Sequence, residues 1–282
     1  MNGLRRSRRA GSAVPDMRII SLNAWGGTLH TALLPWLAEM QPDVLCLQEV
    51  IHSPEAEKDV LEYRDGTHVL QQRTNLFAEV RAALPRHVAT FCPAAQGVLW
   101  DGAFAVPSQW GLATFVDPNM PLIGQAQWFV HKDFGPKGYG DHPRSRSAHA
   151  VRLWDFAADR AVVVAHMHGL RDLRGKMDTP ERRVQAQRFL ALARSVAAPD
   201  DQMVLCGDFN VTPGSETLTL LRDAGFTELV TARGEAGTRT SHYGKTERFA
   251  DYMCVGPGVK VRGFEVLRTP EVSDHCPLIL QI

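Results

Sequence analysis

The chain has 282 residues, of which 44% are hydrophobic and 22% charged, the balance of a globular protein that buries a substantial core. Collagen, coiled coil and wholesale disorder are excluded, and no apolar run approaches the roughly 18 residues of a membrane-spanning helix. Lys plus Arg and Asp plus Glu both number 31, so charge alone does not hold this chain on long nucleic acid.

Residues 1–16, MNGLRRSRRAGSAVPD, hold Arg5, Arg6, Arg8, Arg9 and one acid, which leaves 27 basic and 30 acidic residues, a net of −3, in 17–282. No apolar stretch follows the arginines, so the segment is not a secretory signal. It reads as a disordered tail, or as an over-long start with Met17 as initiator, ahead of a basic arm for nucleic acid or anionic lipid. MRIISLNAW (17–25) predicts a strand, TALLPWLAEM (31–40) a helix ended near Pro42, and DVLCLQEV (43–50) a buried strand. NLFAEVRAAL (75–84) predicts a second helix with Pro85 behind it. HVATFCP, WGLATFVD, GQAQWFVH, SAHAVRLWD and RAVVVAHMH then predict five strands between 87 and 168. TPERRVQAQRFLALARSVA (179–197) predicts the clearest helix, with Thr179 as N-cap, Pro180 in the first turn, and Val184, Phe189, Leu192 and Val196 as its apolar stripe. QMVLCGDFN, ADYMCVG, KVRGFEVL and CPLILQI are further strands, and 215–224 a further helix. Residues 52–74 and 131–147 are long, polar and Gly/Pro-containing, which makes them candidate substrate loops.

The later strands follow one another too closely for helical crossovers, which argues against a purely parallel doubly wound sheet. Two packed, mixed or mostly antiparallel sheets with helices outside fit better, an α/β (α+β) sandwich. With no repeat or low-complexity linker, 17–282 reads as a single domain. Cys46, Cys92, Cys206, Cys254 and Cys276 are odd in number and form no C-x-x-C. Together with the lack of a signal peptide, this predicts a reduced, cytoplasmic protein.

Polar residues fall at the ends of otherwise apolar strands: Asn23, Glu49, His166 and His168, Asp208 and Asn210, and Asp274 and His275. Taken singly, each is more often a turn residue or a satisfied core histidine. As a set they converge if the strand ends share one rim. Carboxylates and amides without thiolates suit a hard cation, Mg²⁺ or Mn²⁺, which commonly works on phosphate.

LNAW (22–25), LQEV (47–50), GDFN (207–210) and SDH (273–275), in this order and spacing, resemble the endonuclease/exonuclease/phosphatase superfamily. That superfamily includes DNase I-like nucleases, apurinic endonucleases, inositol polyphosphate 5-phosphatases and neutral sphingomyelinases. The resemblance covers 17–282, and HGL (168–170), DTPERRVQ (178–185) and TRTSHY with RFADY (238–252) are similar to a bacterial branch of it. It implies a four-layer α/β sandwich and attack of water on phosphorus in line with the leaving oxygen. Glu49 is then the main metal ligand, Asp274 a second ligand directly or through water, and Asn23 a holder of the metal shell or the phosphate. Asp208 orients or deprotonates the water, Asn210 fixes Asp208 and touches the phosphate, and His275 hydrogen-bonds the phosphate. Asp251 orients His275 and raises its pKa, and His168 supports the phosphate or leaving group. The family histidine usually follows Thr or Asn. Here His166 and His168 share one strand face, and either could serve, with His168 the better match.

Other constellations fail on inspection. HMH cannot complete a zinc H-x-H-x-D-H motif, because Leu170 replaces the Asp. GKT (244–246) lacks the first glycine of a phosphate loop, where Arg239 stands. No G-x-S-x-G, H-E-x-x-H or early D-x-H occurs. The leading expectation is therefore a Mg²⁺- or Mn²⁺-dependent hydrolase of a small or lipid-derived phosphoester. A DNA endo- or exonuclease is the alternative, and a non-catalytic interaction module is disfavoured by the retained polar set. Arg144, Arg146, Arg171, Arg174 and Lys176 form either a basic substrate-binding rim or solvated charges. Trp100, Trp110 and Trp128 are expected mostly in the core.

Overall fold

The structure is a computed structural model and describes residues 16–282. The expectations for the arginine-rich start lie outside the described residues, apart from Asp16. In chain order the elements are β1 (Arg18–Asn23), α1 (His30–Met40), β2 (Val44–His52), β3 (Val60–Asp65), β4 (His68–Arg73), α2 (Leu76–Ala83), β5 (Val88–Asp101), β6 (Phe104–Val116) and β7 (Leu122–His131). There follow β8 (Arg146–Asp155), β9 (Arg160–His168), α3 (Pro180–Ser195), β10 (Gln202–Asp208), α4 (Glu216–Asp223), β11 (Thr227–Glu228), α5 (Leu229–Ala232), β12 (Asp251–Val255), β13 (Gly263–Val266) and β14 (Leu278–Gln281).

Two mixed sheets result, one in the order β13-β14-β1-β2-β6-β5-β3-β4 and the other β11-β12-β10-β9-β8-β7. Each holds one parallel pair, β1 with β2 and β9 with β10. Parallel neighbours need a long crossover, and α1 and α3 supply it. The expected α/β sandwich is what the chain forms. In the first sheet the period of two separates two faces. Ile20, Leu22, Leu45 and Leu47 share a core cluster with Leu33, Leu37 and Val80 of α1 and α2. Ile19 and Cys46, one residue out of phase, belong to the cluster that includes Val162, Val164, Val204 and Cys206 of the second sheet.

Thr179 caps α3 by accepting from the Arg182 backbone, with Pro180 in the first turn, as expected. The expected stripe is partly wrong. Val184 is exposed, and the buried face is Arg182, Gln185, Ala186, Phe189, Leu190 and Ala193, because two polar residues are buried where an apolar reading skips them. The presumed loop 52–74 contains the hairpin β3–β4, whose polar, largely exposed strands carry little hydrophobic signal.

Glycines set how closely the site-bearing strand ends approach. Gly207 has φ +129°, and a Cβ there would stand 2.1 Å from the Met167 carbonyl oxygen. A Cβ on Gly169 would stand 2.2 Å from the Phe209 carbonyl oxygen. Only glycine fits either position, and the fit places His168 and Asp208 as register partners. Gly207→Ala is expected to cost about 3 kcal/mol, through overpacking and an unfavourable φ. An unchanged denaturant midpoint would show that the two backbones separate freely.

Candidate active site

Strand register brings the candidates together. Across the second sheet, Asp208 of β10 pairs with His168 of β9 on one side and Asp251 of β12 on the other. In the first sheet Asn23 pairs with Gln48, next to Glu49. The facing ends open into a cleft of about 670 Å³, lined by Glu49, His168, Asp208, Asn210, Asp274 and His275 among others.

Glu49 owes its position to an irregularity. The β2–β6 register slips between Leu47 and Val50, and Glu49 has φ 55°, in the left-handed region. A bulge of this kind re-aims a side chain at the cost of local strain. It allows consecutive residues to reach the opposite sheet. Gln48 Nε2 lies 3.2 Å from His166 Nδ1, and Glu49 Oε1 lies 3.8 Å from His168 Nε2. Burial, then the charges of Asp274 and Asp208, push the Glu49 pKa up to about 7.

Asp208 is the centre of the cluster. Its Oδ2 accepts from Asn23 Nδ2 at 3.0 Å, and its Oδ1 accepts from the Asn210 backbone at 2.9 Å. His168 Nε2 and His275 Nε2 lie 3.7 and 3.8 Å from Oδ2. Asn210, expected on the strand with Asp208, lies beyond its end. β10 stops at Asp208, and Asn210 takes φ 54° in the turn that follows, with its amide donating to the Gly169 carbonyl at 3.3 Å. Asn23 is wholly buried, and its side chain also accepts from the Trp25 backbone.

Asp251 and His275 are a pair, with His275 Nδ1 2.8 Å from both carboxylate oxygens. Thr238 holds the acid in place by donating to Asp251 Oδ2 at 2.7 Å. The expected rise in the His275 pKa is absent. Burial and then the Arg239 charge lower it to about 4, while burial raises Asp251 to about 6. Desolvation therefore outweighs the neighbouring acids, and at neutral pH the ring is neutral, with Nδ1–H donating to Asp251 and Nε2 unprotonated.

His166 is not in the cleft. It is fully buried two residues deeper, and Gln48, His166, Thr114, His149 and Gln125 form a chain between and across the strands. One assignment satisfies it: Gln48 donates to His166 Nδ1, His166 Nε2–H to Thr114, Thr114 to His149 Nδ1, and His149 Nε2–H to Gln125. The i, i+2 spacing put both histidines on the same face but could not show that only His168 reaches the open end. Burial drives the pKa of both well below the ordinary histidine value.

Three arginines shape the walls. Arg146 is buried over the Trp110 ring, 4.9 Å from its centroid, with Nε donating to the Gly169 carbonyl and Nη1 to the Ser145 carbonyl. Its pKa falls to about 10 through burial, against the pull of Glu49 and Asp208. Arg144 lines the cleft, but its guanidinium is tied to Asp65, Tyr63 and Gly140, joining the 131–147 loop to the β3–β4 hairpin. It is thus less free for substrate than its sequence position suggested. Arg239 was missed as a site residue. It stacks on Tyr243 and donates to Asp274 Oδ2 at 2.7 Å. Its signal was present in TRTSHY. Trp110 packs on the Ile51, Leu61 and Leu99 cluster while also lining the cleft, and Trp128 is exposed, against the core expectation.

The donor set fits a hard divalent cation. Glu49, Asp208 and Asp274 crowd with no thiolate, and a cation would offset both the burial of Glu49 and the charges of Asp274 and Asp208 that raise its pKa. Among the described residues, Asp208, Asp251 and His275 also offer ligand atoms within 4.8 Å of one another, although Asp251 and His275 are engaged with each other.

No curated protein matches the chain. Solved structures do, at the level of fold. An endonuclease/exonuclease/phosphatase from Bacteroides vulgatus has TM-score 0.65 and 17% identity, over 94% of this chain and 98% of that one. The human Nocturnin catalytic domain with bound sulfate anion has TM-score 0.64 and 18% identity, over 95% and 93%. A mannosyl-6-phosphatase from Bacteroides thetaiotaomicron has TM-score 0.65 and 14% identity, over 94% and 99%. The model of the Endonuclease/Exonuclease/phosphatase family matches residues 20–275, the span that holds every residue of the cleft named above, and the chain belongs to that family.

Proposed function

We propose that the chain, as one domain over 17–282, is a Mg²⁺- or Mn²⁺-dependent phosphoester hydrolase acting on a small or lipid-derived phosphoester. The observation that carries this reading is the crowding of Glu49, Asp208 and Asp274 beside two neutral histidines in one cleft. Glu49 would hold the cation, with Asp274 and Asn23 completing its surroundings. When bound, the cation neutralises a phosphate oxygen and the charge developing on the leaving oxygen. Asp208, fixed by Asn23 and Asn210, orients the attacking water and takes its proton. His168 contacts the phosphoryl oxygens, His275 in the tautomer set by Asp251 accepts from the attacking water through its unprotonated Nε2 beside Asp208, and Arg146 adds a fixed positive charge. The mannosyl-6-phosphatase among the structural neighbours is compatible with a small phosphoester substrate.

A nuclease is the second reading, favoured by Arg171, Lys176 and Lys245 along the cleft. The net −3 of 17–282 weighs against a long duplex. No helix among the described residues is long and apolar enough to cross a membrane, and five free, buried cysteines support a reducing, cytoplasmic location.

A panel of plasmid DNA, abasic duplex, sphingomyelin, inositol phosphates and a chromogenic phosphodiester, assayed with Mg²⁺ or Mn²⁺, tests the reading. Turnover is expected to vanish in EDTA, and Glu49→Gln is expected to cut kcat/KM by about 10²-fold while weakening the response to added metal. Undiminished turnover in EDTA would end the metal assignment.

A further inference from the structure

The DTPERRVQ segment has a structural task that the reaction does not explain. Arg182, in the first turn of α3, is 1% exposed, and its guanidinium is turned back into the preceding loop. It donates to the carbonyls of Leu170 at 3.3 Å, Gly175 at 2.9 Å and Met177. Gln185, also fully buried, accepts from the Leu170 backbone at 2.7 Å. Two buried polar side chains thus fix the course of residues 169–178, which form part of the cleft wall.

That loop shows the cleft one arginine, Arg171, and two large apolar side chains. Asp172 and Arg174 pair with each other at 2.6 Å. Lys176 is turned to the Phe249 carbonyl, and Asp178 caps the start of α4 by accepting from the Glu216 backbone. Besides Arg171, which is placed to meet a phosphate, Leu173 and Met177 remain, 69% and 46% exposed, and both line the cleft. Holding two large apolar side chains open to water in a firmly tied loop is unfavourable unless something covers them. The cleft continues this character through Ile51, Leu70 and Trp110.

We propose that the 169–178 loop, clasped by Arg182 and Gln185, is the specificity wall of the cleft and selects phosphoesters bearing an apolar substituent, which lies along Leu173 and Met177. This rests on the phosphoesterase reading for the position of the phosphoryl group. A nucleotide substituent, with its polar base edges and sugar, would leave the two side chains poorly covered.

Binding of methyl phosphate, octyl phosphate and thymidine monophosphate to the full chain with Mg²⁺, measured by titration calorimetry, tests the wall apart from catalysis. Octyl phosphate is expected to bind at least about tenfold tighter than methyl phosphate, and Leu173→Ser/Met177→Ser to bring that ratio down at least about fivefold. Arg182→Ala, with retained fold checked by circular dichroism, is expected to lose the preference as well. If it folds and keeps the preference, the clasp does not set the wall. Equal binding of the alkyl phosphates, a preference untouched by the double variant, or tightest binding of thymidine monophosphate would overturn the inference. Octyl preference without hydrolysis of any phosphoester in the panel would instead overturn the phosphoesterase reading, so the two failures are distinct.

Discussion

Asp208→Asn is expected to lower kcat by about 10³- to 10⁴-fold, with KM and the thermal midpoint nearly unchanged. The substitution keeps shape and an accepting oxygen but removes the group that takes a proton from water. Oδ1 and Oδ2 each accept one neutral hydrogen bond, from Asn210 and Asn23, so an amide can keep at least one of these contacts. A loss in kcat with unaltered KM marks an interaction made in the transition state. If the variant instead raises KM at constant kcat, Asp208 binds substrate and another group serves as base.

His275→Ala is expected to cost about 10² to 10³ in kcat, the effect of deleting a group that accepts from the reacting water. Asp251→Asn should cost less. The double variant should resemble His275→Ala alone, because residues acting through one another give overlapping losses. The geometry behind this is the 2.8 Å contact of Nδ1 with both Asp251 oxygens, braced by Thr238. Nitrogen chemical shifts of His275 should report a neutral ring protonated at Nδ1, and Asp251→Asn should redistribute the tautomers. Additive losses with an unmoved tautomer would sever the pair.

How legible the molecule was in its sequence depended on which physical effect carried each feature. Strands such as Arg18–Asn23 and Gln202–Asp208 were visible because burial on both faces writes a short continuous apolar run. The β3–β4 hairpin was invisible because its strands VLEYRD and HVLQQR are largely solvent-facing. Arg182 and Gln185 hid the true buried face of α3, since a buried polar group is defined by its partners and not by its type. The convergence of Asn23, Glu49, Asp208 and His275 was legible as strand-end chemistry. The bulge that aims Glu49 was not, since it depends on cross-strand register. His166 and His168 were equivalent by spacing and become distinct only by depth in the sandwich. The lowered His275 pKa reflects desolvation and Arg239, neither of which is a local property of SDH.

In the proposed reaction water, activated at Asp208, attacks phosphorus. Turnover of the best panel substrate in water labelled with heavy oxygen, followed by mass spectrometry of both products, tests this most directly. One labelled oxygen is expected in the phosphorus-containing product, none in the released alcohol, and both turnover and label incorporation are expected to be lost in Asp208→Asn. Label in the alcohol, or label incorporation that persists at the native rate in Asp208→Asn, would contradict it.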